Sequence, residues 1–193
     1  MPIGNEPDVE HVQPKSRQGN PLDWDNLLLS CKKCNKIKNA KNPDRVNYLW
    51  PDEDNTIIAF SYYNEIMVSP APYLSDHVRQ LAQNTIELVG IDRVPGKINN
   101  PTQKDKMDLR WIKRRKAWDY ANRSLLNWQN NPSSELRTQI GLTAEASGFY
   151  AIWLMVFSGH PLMITEIKSR FKGTYEPLID DNNQIIRRPN GRF

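Results

Sequence analysis

The chain has too few cysteines for a disulfide scaffold. There are two in 193 residues, Cys31 and Cys34, and their Cys-x-x-Cys spacing suits half of a metal knuckle better than a secreted framework. Met1 to Asp8 has neither a basic stretch nor an apolar core, so no signal peptide is expected. No apolar run is long enough for a bilayer. The longest, Leu142 to Phe157, is broken by Glu145 and falls short of the roughly 20 residues a spanning helix needs. A strong charge bias is also missing: the formal net charge is +4 and the pI about 9.0, so clustering of charge matters more than its total. Histidine is scarce, with three residues, and no internal repeat is evident. These absences predict a soluble, cytoplasmic protein with no membrane partner. Its length admits one good-sized core, or a small module joined to a helical domain.

What is present begins near the N-terminus. Residues 8–13 alternate and carry two valines, which predicts a short strand ended by Pro14. Lys15 to Asp25 has the chemistry of a loop, Leu27 to Cys31 is a second apolar run, and Lys33 to Lys41 favours a short helix before Pro43. Thr56–Phe60 and Ile66–Val68 suggest a hairpin, with Tyr62, Tyr63 and Asn64 around its turn. From Ser75 the apolar residues Leu74, Val78, Leu81, Leu88 and Val89 recur at helical spacing up to Gly90. A link, Pro95 to Pro101, leads to a long helix from about Asp105 to Gln129 with Trp111, Trp118, Leu125 and Trp128 as its apolar stripe. Further helices are expected over Ser134–Phe157 and Leu162–Phe171, then an irregular tail from Gly173. The fold class expected is α+β: an N-terminal module at 1–72, then a mainly α-helical domain at 73–193.

The first module holds the chemistry. Hydrolysis of a phosphodiester needs a base for water and a cation to neutralise the phosphate. His11 suits the first task, because a neutral imidazole accepts a proton near pH 7. Glu10 and Asn35 suit the second, offering hard oxygen ligands for Mg²⁺ or Mn²⁺. Asn26, closing the loop, is placed to bond backbone near the first strand and to hold His11. Lys38, one turn after Asn35, and Lys15 are candidate phosphate contacts. The alternatives for the metal pair are ordinary ones: a solvated strand-end carboxylate for Glu10 and a helix N-cap for Asn35. Neighbouring strand residues point to opposite faces, so Glu10 and His11 share a site only if the strand end twists into the loop. Asp8 is the substitute ligand.

His11, fourteen intervening residues, Asn26, eight more, then Asn35 within Cys-Asn-x-x-Lys resembles the HNH endonuclease family in its His-Asn-Asn variant. The segments Glu-His-Val-Gln-Pro-Lys-Ser and Leu-Asp-Trp-Asp-Asn-Leu-Leu-Leu-Ser-Cys-Lys-Lys-Cys-Asn resemble in particular bacterial members from anti-phage islands, including Septu-type nucleases that work beside an ATPase partner. The resemblance covers residues 8–42. It implies a ββα-metal module, His11 as catalytic base with Asn26 and Asn35, Glu10 and Asn35 on the catalytic ion, DNA as substrate, and an ATPase as a partner. It also implies a structural Zn²⁺ at Cys31 and Cys34. Many members add a second Cys-x-x-Cys before the first strand, which this sequence lacks, so the zinc ligand set looks incomplete. One site cuts one strand, so double-strand cleavage would imply an oligomer or rebinding.

Lys104 to Lys116 carries seven Lys or Arg and two Asp. Lys113, Arg114 and Arg115 are candidate nucleic-acid contacts, against the reading that the tryptophans pack inward and the charges are solvated. Three functions follow. One is a divalent-metal-dependent DNA endonuclease of anti-phage defence; another is a non-catalytic nucleic-acid-binding or partner-docking subunit that keeps the module as a scaffold; the third is RNA cleavage, since a phosphodiester site does not itself distinguish the sugar.

Overall fold

The computed structural model describes residues 7–41, 43–63, 67–94, 107–175, 178–179 and 185–193. The expected link at Pro95 to Pro101 and the turn around Asn64 lie outside these. The chain mixes helices with short two-stranded ladders, as an α+β protein does. It divides into two units. One takes in Asn5–Tyr63, Val68–Arg93 and Tyr175–Phe193, and the other is built mainly from Val94–Thr174. The boundary expected at 72/73 is thus misplaced: the helix after it and the tail both group with the N-terminal strands.

In the first unit β1 (Pro7–His11) and β2 (Leu27–Cys31) form an antiparallel ladder with Glu10 opposite Leu28 and His11 opposite Leu27. The loop between them holds two 3₁₀ turns, Lys15–Arg17 and Trp24–Asn26, and Asp23 caps the second through the Asp25 amide. Helix α1 (Lys32–Lys38) follows β2 directly. Cys31 Sγ caps it by accepting from the Cys34 amide, and Asn39 at φ 49° ends it before the expected Lys41.

Thr56 to Ala59, expected as strand, is a helical turn, α2 (Thr56–Ala59), and the strand begins only at Phe60. The reason is local: the Ile58 amide bonds back to Asn55 O, which closes a turn that a strand would open. β3 (Phe60–Tyr63) then pairs with β4 (Met67–Pro70). Helix α3 (Asp76–Val89) starts at the Ser75 cap and stops at Gly90, whose φ of 55° lies in the left-handed region that glycine tolerates. It buries Leu81, Ala82, Ile86 and Leu88.

Among the described residues of this unit two apolar clusters result. Leu49, Ala59, Ala71, Leu74, Leu81 and Ala82 form one, with Phe193 packed against it. Val12, Trp50 and Leu88 form the other, with Leu28 and Tyr48, and this second cluster anchors the end of β1 against α3. The tail is less irregular than expected, because β5 (Leu178–Ile179) pairs with β6 (Ile185–Ile186). Beyond it, the buried Asp54 carboxylate accepts from the Trp50 and Phe193 amides and pairs with Arg192.

Among its described residues the second unit packs four helices: α4 (Arg110–Asn130), α5 (Ser134–Ser147), α6 (Tyr150–Val156) and α7 (Pro161–Arg170). The single helix expected over Ser134–Phe157 is broken at Gly148 (φ 69°) and Phe149 (φ 58°). The break is tied by Trp153 Nε1 donating to Ser147 Oγ at 3.0 Å, and it buries Tyr150, Ile152, Trp153 and Phe157. The apolar stripe of α4 is also corrected. Arg110, Arg114, Ala117 and Ala121 are its buried residues, while Trp111, Trp118, Leu125 and Trp128 lie half-buried on the adjoining face. Small alanines let neighbouring helices approach closely, and the bulky indoles are left at the margin.

Candidate metal and phosphodiester site

The pleat of β1 separates its residues by face. Glu10 and Val12 are buried, at 5% and 4% exposure, whereas Val9 is exposed and His11 half-buried. Glu10 therefore points inward, and there it meets Lys38 from α1, whose Nζ lies 2.6 Å from Glu10 Oε1. The same ammonium donates to the carbonyl of His11 at 2.7 Å. Lys38 is 2% exposed, so its expected contact with phosphate is a misreading. A lysine this deep is there because a carboxylate and a carbonyl compensate its charge.

Glu10 Oε2 is buried and has no hydrogen-bond partner among the described residues. Burial pushes the Glu10 carboxyl above its ordinary 4.5; Lys38 and the neighbouring His11 oppose that rise, and Asp8 adds to it. An ionised oxygen held in the interior with nothing bonded to it suits a divalent cation. That is the observation on which the residues fit Mg²⁺ or Mn²⁺.

Asn35 stands one turn before Lys38 on α1. Its Nδ2 donates to Asp8 Oδ2 at 2.8 Å and reaches Val9 O at 3.4 Å. The amide is thereby oriented with its carbonyl oxygen, the ligating end, turned from these bonds. Asp8 itself is engaged at both oxygens, since Oδ1 accepts from the Val9 amide, so it orients Asn35 and is poorly placed to replace Glu10.

His11 carries its ring toward the loop, with Nε2 3.3 Å from Pro21 O. A carbonyl only accepts, so this contact is a hydrogen bond when Nε2 carries a proton, and the neutral ring of that tautomer has its lone pair on Nδ1. Asn26, 8% exposed, ties that loop down. Its Oδ1 accepts from the Gln13 amide at 2.7 Å, and its Nδ2 donates to Gln13 O and Asn20 O, each at 3.1 Å. Its own carbonyl accepts from the Val12 amide at 3.0 Å. Arg45 holds the preceding residue, donating to Asp25 O at 2.7 Å while pairing with Asp52 and Glu53. Sequence reading missed Arg45. The only available signal was an arginine among Asp44, Asp52 and Glu53, and nothing in spacing links it to Asp25.

Cys31 and Cys34 are half-buried, with their sulfurs 3.0 Å apart. No group of three or more His, Cys, Asp or Glu residues suited to a metal is found among the described residues. Lys15 is exposed beside the loop, and the loop tip bears Leu22 and Trp24, 88% and 83% exposed. Lys113, Arg114 and Arg115 belong to the other unit. Arg115 is exposed and Lys113 half-buried, but Arg114 is 1% exposed, which corrects its assignment as a nucleic-acid contact. It falls on the buried side of α4, four residues after Arg110 and three before Ala117. No helix among the described residues is long and apolar enough to cross a membrane.

No curated protein and no solved structure matches the chain. Residues 3–41 match the model of a family described as HNH endonuclease, a stretch that takes in β1, β2 and α1 and so holds Glu10, His11, Asn26, Asn35 and Lys38.

Proposed function

We propose that the chain is a divalent-metal-dependent endonuclease of the His-Asn-Asn type, hydrolysing DNA. The observation that carries this reading is the buried Glu10 Oε2, which has no hydrogen-bond partner among the described residues, next in sequence to His11, whose Nε2 lies against Pro21 O. Glu10 and Asn35 would hold Mg²⁺ or Mn²⁺, which when bound supplies neutralisation of the scissile phosphate. His11 takes a proton from water as the water oxygen bonds to phosphorus; the P–O ester bond breaks, and its oxygen is protonated from solvent. Asn26 keeps the loop carrying Pro21 in register, and through it the His11 ring. Lys15 and the exposed Trp24 suit phosphate contact and base stacking beside this loop.

The test is cleavage of supercoiled plasmid with Mg²⁺ or Mn²⁺. Wild type is expected to cut and His11→Ala to lose about 100-fold or more of the rate. Equal rates for the two would sink the assignment, and cleavage confined to RNA would redirect the substrate. By the resemblance of residues 8–42, we place the activity in anti-phage defence beside an ATPase. Phage plating on cells carrying wild type or His11→Ala, with and without a candidate ATPase partner, decides that.

A further inference from the structure

The Lys38 ammonium bonds at once to the side chain of one residue and the main chain of the next: Glu10 Oε1 at 2.6 Å and His11 O at 2.7 Å. Stability does not account for this arrangement. Exchanging both partners of a buried ion pair for well-packed apolar residues of similar volume is close to neutral, whereas removing one leaves the other buried and unpaired, so the pair as a unit is not what the fold requires.

What the bridge fixes is geometry. By engaging Oε1 it determines that Oε2 is the oxygen of Glu10 left unpartnered. By holding the His11 carbonyl it fixes the strand end from which the imidazole hangs. One turn earlier on the same helix, Asn35 grips Asp8 at 2.8 Å. Helix α1 therefore holds β1 at two points, and residues three apart on a helix share a face.

We propose that Lys38 is a positioning residue for hydrolysis: it sets the relation between the Glu10 carboxylate and the His11 imidazole. This rests on the endonuclease reading above, and it gives the lysine of Cys-Asn-x-x-Lys a task other than phosphate contact.

Wild type, Lys38→Arg and Lys38→Met are compared at a temperature where circular dichroism shows each folded. Lys38→Met is expected to lose about 100-fold in kcat, the scale of an ångström-sized misplacement, with KM within about threefold of wild type. Lys38→Arg, which keeps charge and donors but moves them, is expected to fall between, at least about threefold below wild type. If Lys38→Met does not fold, Lys38→Arg carries the test alone. A kcat within threefold of wild type for either folded variant overturns the proposal, as does a loss that only tracks the folded fraction.

A second readout needs no turnover. The chain has three histidines, His11, His77 and His160, so Mn²⁺ titration can be followed on their imidazole NMR signals. In wild type Mn²⁺ is expected to broaden His11 ahead of the other two, and in the Lys38 variants this selectivity is expected to decline. Selective broadening without plasmid cleavage would defeat the endonuclease reading while leaving the positioning role standing. Broadening of His11 that is unchanged in the variants would defeat the positioning role.

Discussion

Asn26 and Gln13 exchange a reciprocal pair of hydrogen bonds, the Gln13 amide donating to Asn26 Oδ1 at 2.7 Å and Asn26 Nδ2 donating back to Gln13 O at 3.1 Å. The side chain thus acts as a short piece of antiparallel strand, continuing the β1–β2 ladder where the loop departs. Asn26→Asp keeps the shape but turns two N–H donors into an oxygen facing the carbonyls of Gln13 and Asn20. The expected cost is about 2 kcal/mol, from two part-buried hydrogen bonds whose acceptors face a repelling charge. Urea denaturation measures it. Cleavage is expected to fall further than the folded fraction, because the loop that carries Pro21 loses its tie.

Gly19 lies under the same loop. A Cβ there would sit 2.0 Å from Gln13 O and 2.8 Å from Gln13 C, both backbone atoms, so no side-chain rotation relieves the clash. Gly19→Ala must displace Gln13 and with it the partner of Asn26. It is expected to destabilise by about 2 kcal/mol and to lower kcat, since overpacking costs that much where backbone must move. Gly159, with nothing within 4 Å of its Cβ position, supplies the control. Gly159→Ala is expected to stay within about 0.5 kcal/mol of wild type. Equal melting of the two variants would contradict this account of the loop.

Tyr73 offers a pH probe away from the site. Its hydroxyl donates to Ile58 O, and desolvation raises its pKa above the ordinary 10.0. The folded state then keeps the phenolic proton to higher pH than the unfolded state does. The contribution is present in full below pH 10.0 and is lost as pH rises toward the raised value. Tyr73→Phe is expected to cost about 1 kcal/mol at neutral pH for the lost hydrogen bond, and to flatten the fall in stability on the alkaline side. Parallel wild-type and mutant curves above pH 10 would argue against the shift.

β1, β2, α1, α3 and the His11, Asn26, Asn35 spacing were legible in the sequence because local rules decide them: alternation, a serine cap, a glycine stop. The rest depended on partners far along the chain. Lys38 reads as a surface lysine until β1 is laid against α1, 27 residues away. Asp54 reads as one acid among several, yet its carboxylate binds the Phe193 amide across 139 residues, which is why the tail looked irregular. The tryptophans of α4 misled for another reason. Hydrophobicity marks what can be buried, but the fully buried apolar positions of α4 fell to Ala117 and Ala121, where size decides.

The contrast within Arg114–Arg115 turns that lesson into a measurement. Both were read as candidate nucleic-acid contacts, but Arg114 is 1% exposed while Arg115 is exposed. Arg114→Ala removes a buried guanidinium and its packed stem, and is expected to cost about 3 kcal/mol or more in chemical denaturation. Arg115→Ala is expected to stay within about 0.5 kcal/mol. If this face of α4 contacts nucleic acid, Arg115→Ala lowers affinity for an oligonucleotide and reduces the slope of log K against log salt by about one. An unchanged slope would show that the exposed charges of α4 are simply solvated, leaving Lys15 and the loop between β1 and β2 as the substrate-facing surface.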